Sequence, residues 1–135
     1  MKKFLSSIAV FIIASGFVFA QSAAVNVIKK ALECDTVDES IAYLEKHVIP
    51  VEDTCSIRVL YAFTGCIQEQ SGLYSDASKS FAKAAGVKVS QEAINSFKLT
   101  KEATPQEKIV YNMLKKSPSV LVLDAVRCCL NCGEA

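Results

Sequence analysis

Glycine, proline and histidine are scarce in this chain, at five, three and one among 135 residues. So few glycines and prolines, with no low-complexity tract and no long charge run, exclude a disordered or linker-like chain. A single histidine, His47, excludes an ordinary His-based metal site, and leaves no Cys/His catalytic pair beyond those using His47 itself. There is no GxSxG elbow and no glycine-rich phosphate loop. Charge is nearly balanced at +1, which gives no electrostatic basis for nucleic-acid binding. Strand patterning is nearly absent: "VLVL" at Val120–Leu123 is the one β-like run, inside a longer helical stretch.

What is abundant is apolar residues, 51% of the chain, enough for one domain with its own core. The first twenty residues stand apart. Lys2 and Lys3 precede a stretch without charge from Phe4 to Ala20, ending in Val18-Phe19-Ala20. This is the pattern of a cleavable secretory signal, and its "MKK" opening resembles bacterial leaders. The apolar run is short for a spanning helix, so an uncleaved anchor, with the remainder as a membrane-tethered scaffold, is the lesser reading. Removing residues 1–20 leaves 115 residues with 13 basic and 14 acidic side chains. The expected domain is 21–135, exported to the periplasm or beyond.

From Ala23 onward the pattern is helical, and it predicts seven helices, over about 24–33, 37–48, 54–70, 73–86, 91–99, 105–116 and 118–131. Thr36 with Glu39 and Thr104 with Glu107 form capping boxes, the second with Pro105 at the first helical position. Ser117-Pro118 repeats that arrangement, and Asp53 or Thr54 and Ser90 are further caps. Glu33, Asp35, Asp38 and Glu39 gather near a helix start, where the dipole and the cap account for them. Short links between the helices predict antiparallel hairpins: an all-α chain.

The hairpin "YAFTGCIQEQSGLYSDASKSFAKAA", 61–85, carries Tyr61, Gly65, Gly72, Tyr74, Ala77, Phe81 and Ala84 at set intervals. Gly65 and Ala77 are placed where two helices cross closely, and Gly72 where a positive φ ends the first. In these positions the segment, about 58–89, resembles a tetratricopeptide repeat. It departs from the family pattern at Thr64, Gln68 and Val89. The flanking hairpins match only in helix count, with Ala31 and Ala42 as candidate small contacts in the first. The resemblance implies a short right-handed solenoid that binds a partner protein on a concave face. Carried onto this chain, the groove candidates are Val59, Ala62, Cys66 and Glu69. Arg58 alone is too little to clamp a partner's terminal carboxylate.

Six cysteines remain: Cys34, Cys55, Cys66, Cys128, Cys129 and Cys132. Export makes them candidates for disulfides, and free buried thiols are the alternative. Cys55 and Cys66 lie on one predicted helix, roughly 16 Å apart by helical rise, and cannot bridge each other. Cys34 with Cys55 or Cys66 is feasible. Cys129-Leu130-Asn131-Cys132 has the spacing of a redox pair. It falls at a helix end, however, where the dipole disfavours a thiolate. No zinc-type pairing of cysteines is present. The reading is therefore a non-enzymatic interaction or scaffold module with no cofactor and no metal. The alternative is a small exported helical bundle with a structural or thiol-redox role. The seventh helix has no hairpin partner and is apolar nearly all round. That predicts a repeat array truncated at its C-terminal end, with Gly133 at a further turn, or self-association through this helix.

Overall fold

The computed structural model describes residues 16–133, with side chains over 23–132. Most of the expected signal segment, 1–15, lies outside the described residues. The described residues form seven helices and no strand: α1 (Gly16–Leu32), α2 (Val37–Val48), α3 (Thr54–Gln70), α4 (Tyr74–Gly86), α5 (Gln91–Ser96), α6 (Pro105–Lys115) and α7 (Pro118–Gly133). None of the described helices is long and apolar enough to cross a membrane.

Local chemistry sets the helix starts. Side-chain oxygens accept a backbone N–H three residues on: Thr36 from Glu39 at 3.2 Å, Asp53 from Ser56 at 3.0 Å and Ser90 from Ala93 at 3.1 Å. Thr104 does the same for Glu107, and Ser117 for Val120, both at 3.2 Å. The α3–α4 turn closes with Gly72 at φ +79, the Leu73 N–H donating to Gln68 O at 2.8 Å and the Gly72 N–H to Glu69 O at 3.1 Å.

Two boundaries differ from expectation by three residues or more, and the others by no more than two. α1 already includes Gly16, ahead of the expected start near 24, and no glycine or proline interrupts it from there to Leu32. α5 stops at Ser96, not 99, because Phe97 turns extended (φ −78, ψ 120) and buries its ring in the core.

α3 is buried on nearly every side and joins two cores. Val59, Leu60 and Phe63 meet Ala24, Ile28 and Ala31 of α1, Leu44 and Val48 of α2, Phe97, and Val110 and Leu114 of α6. Ala62 meets Ala77, Phe81 and Ala84 of α4 and Leu121, Ala125 and Cys128 of α7. The Gly65 position explains the α3–α4 approach: a Cβ there would stand 3.0 Å from two carbons of the Phe81 ring. Thr64 and Gln68 are both buried, and each has a polar partner. Thr64 Oγ1 donates to Leu60 O at 2.7 Å, and Ser80 Oγ donates to Gln68 Oε1. In the α1–α2 pair, Ala42 is exposed, and the close contact is Ser40, whose hydroxyl donates to the buried Ala31 carbonyl at 2.9 Å.

Packing order departs from chain order after α4. α1 packs with α2, α3 with α4, and α3 against both α1 and α2. α6 then lies across α1 and α3, and α7 packs on α4. So α5 and α6 do not form a close pair, and the seventh helix does have a partner. The two-residue link explains the second point. Lys116 is extended (φ −65, ψ 123), and Pro118 biases Ser117 away from the helical region. The chain leaves α6 at an angle and reaches α4 instead of folding back.

Candidate interaction surface

The four groove candidates on α3 are covered by the chain itself. Val59 is in the core shared with α6, and Ala62 is under α4 and α7. Cys66 Sγ lies 4.0 Å from Met113 Sδ of α6. Glu69 is held by Arg127 of α7, which donates Nε to Oε2 and Nη2 to Oε1, both at 2.8 Å. Arg58 is also buried; its Nε and Nη1 have no hydrogen-bond partner among the described residues, and burial lowers its pKa.

α7 is fixed by its only two described charges. Asp124 accepts from Lys116 Nζ and from Arg127 Nη1, each at 2.7 Å, with 7% of its side chain exposed. Burial alone would raise the Asp124 carboxyl, but the Lys116 and Arg127 hydrogen bonds outweigh it and hold the group below its ordinary value. The Arg127 hydrogen bond lowers Glu69 likewise. Ser78 Oγ of α4 donates to the Ala125 carbonyl at 2.8 Å, which brings the two helices close.

With Leu121, Asp124, Ala125 and Cys128 turned inward, the opposite side of α7 is open. Val122, Leu123, Val126 and Leu130 are 50%, 65%, 48% and 64% exposed and follow one another at helical spacing, with exposed Cys129 among them. Beside this stripe runs a shallow apolar cleft of about 290 Å³, walled by Ser78, Ala82 and Ala85 of α4 and by Val122, Ala125, Val126 and Cys129 of α7. A second cleft of about 370 Å³ is more polar, bounded by Leu44, Glu45, Val48 and Ile49 on one side and Tyr61, Thr64, Ser80 and Lys83 on the other. The Lys83 ammonium lies 5.7 Å from the Tyr61 ring centroid.

The repeat-defining residues have structural roles. Ala77, Phe81 and Ala84 are wholly buried, and Tyr61 and Tyr74 are half-buried at the edges of the α3–α4 pair. All six cysteines are free thiols, so no expected bridge is formed. Cys34 Sγ donates to Lys30 O at 3.5 Å instead, and Cys66 is engaged beneath α6. Burial first, then Glu69, pushes the Cys128 thiol up to about 11. Cys129 and Cys132 are exposed at the end of α7, away from any helix start. His47 stacks on Tyr43 with ring centroids 3.9 Å apart, and its Nδ1–H donates to the Tyr43 carbonyl at 2.8 Å. Among the described residues no three His, Cys, Asp or Glu side chains gather as a metal site.

Sequence reasoning marks α7 as apolar nearly all round but does not find the Asp124–Arg127–Glu69 anchor. The signal was present: two charges three apart in a helix otherwise without charge place one side of α7 against a charged partner. Comparison with family models, with curated proteins and with solved structures finds no match.

Proposed function

We propose that this is an exported, tetratricopeptide-like helical protein that acts by binding another protein and performs no reaction of its own. The packing of α1 and α2 on α3, itself paired with α4, supports the repeat reading for the first two hairpins. The α1 side chains in the core, Ala24, Ile28 and Ala31, all lie beyond the expected cleavage point after Ala20, so they remain in the exported chain. Because α6 covers the α1–α3 face, binding is assigned to the outer side of α7 and its cleft with α4. The observation that carries this is the uncharged stripe Val122–Leu123–Val126–Leu130, exposed in one continuous line. Contiguous apolar surface of this kind marks an interaction site on a monomer, and an open helix-lined cleft suits a partner helix. The thiol-redox alternative is weaker, because Cys129 and Cys132 lie where the helix dipole opposes a thiolate.

The test is affinity capture with the exported protein and with its Val126→Lys variant, whose fold is checked by circular dichroism. The expected result is that capture by the wild type is lost in the variant. Undiminished capture by Val126→Lys would contradict the assignment.

A further inference from the structure

Resting on that reading, we propose that the occupant of the α7 outer face is α7 of a second copy of this chain, antiparallel to the first about a two-fold axis at Val126. The charge distribution favours like on like. Asp124 and Arg127 are bound within the chain to Lys116 and Glu69, and the open side carries no charge. Arg127, half-exposed at the rim, has its charge met by Asp124 and Glu69 of its own chain, so two such faces meet without net repulsion.

The spacing favours the antiparallel arrangement. Val122, Leu123, Cys129 and Leu130 stand four and three residues before and three and four after Val126. Turning one helix end for end about Val126 therefore sets Val122 against Leu130, Leu123 against Cys129, and Val126 against itself. A branched residue meets a long one, and a long one meets a small one, so the surfaces interdigitate. One further turn out on each side stand Ser119 and Gly133, small enough to let the helix ends approach.

Area is the remaining criterion. The stripe exposes on the order of 400 Å² of apolar surface per copy, within the size range of patches that mark interaction sites. Two stripes, together with the Ser78, Ala82 and Ala85 walls that each copy adds, approach the roughly 1,200 Å² at which stable interfaces begin. The expected dimer is reversible, with dissociation in the micromolar range.

Sedimentation equilibrium of the exported protein across that range, combined with a short bis-maleimide on a Leu123→Cys, Cys132→Ser variant, tests this. The expected results are a concentration-dependent dimer, a monomer for Val126→Lys, and a dimer band joined through positions 123 and 129. A monomer at every concentration overturns the proposal. So does a dimer that survives Val126→Lys, or one joined 129 to 129 alone, which signals parallel helices. A monomer whose captured partners still depend on Val126 overturns self-association and leaves the interaction reading standing. If capture is also indifferent to Val126, both fail.

Discussion

Truncation of Phe81 to Ala is expected to lower the stability of the folded chain by about 3–5 kcal/mol. The ring is wholly buried and lies against the backbone of Gly65, where no side chain can fill the space that it leaves. It packs with Ala62 of α3 and with Leu121, Ala125 and Cys128 of α7, so one deletion opens a void where three helices meet. Lys116 places its ammonium 5.8 Å from the ring centroid and loses that contact as well. Urea denaturation reads the loss as a lower midpoint with little change in slope. A midpoint within about 0.5 kcal/mol of wild type would mean that α7 does not pack there.

The second large effect is expected at Asp124. Replacement by Ala leaves Lys116 and Arg127 without their shared carboxylate, at the base of the helix that carries the proposed surface. Breaking a buried pair costs about 3–5 kcal/mol when the surviving charge stays buried. Lys116 and Arg127 keep 27% and 51% of their side chains in water, so they recover solvation, and a loss of about 2–3 kcal/mol is expected. The pH dependence follows from the same carboxylates. Asp124 and Glu69 have pKa values below their ordinary ones in the folded state. The unfolded chain therefore takes up protons first as pH falls. The stabilisation is complete above about pH 5, and it is lost as pH falls through about 4 and below. Denaturation midpoints should be flat from pH 5 to 7 and decline beneath that, and Asp124→Ala should show a shallower decline. Equal slopes for the two proteins would remove Asp124 from the acid response.

The helices were legible because their boundaries are written locally. Thr36, Asp53, Ser90, Thr104 and Ser117 each bond the amide three residues on, and Gly72 takes the one positive φ among the described residues. The α3–α4 pair was legible for a similar reason, since small residues are needed wherever backbones cross. The placement of α6 and α7 was not. Val110 and Leu114 make an apolar face that would suit α5 as well as the α1–α3 surface, and periodicity does not say which neighbour fills it. The choice is made by the shortness of α5 and by the extended Lys116-Ser117 link, both of which act on tertiary geometry. The same limit made Ala42 look like a helix contact when Ser40, the polar neighbour, is the residue turned toward Ala31. Asp124 escaped because a charge in an apolar helix reads as exposed until Lys116, after α6, and Arg127, itself held by Glu69 of α3, are brought to it.

In this arrangement α6 closes over α3, α7 closes over α4, and the outer side of α7 is left as the open surface. Pulse alkylation of the six thiols, read one by one by mass spectrometry in dilute protein, tests it most directly. Cys129 and Cys132 are expected to react in the folded chain, Cys128, wholly buried, only on unfolding, and Cys66, partly buried beneath Met113, much more slowly than Cys129. Reaction of Cys66 at the rate of Cys129 in native conditions would contradict it, because the α3 face would then be an open groove.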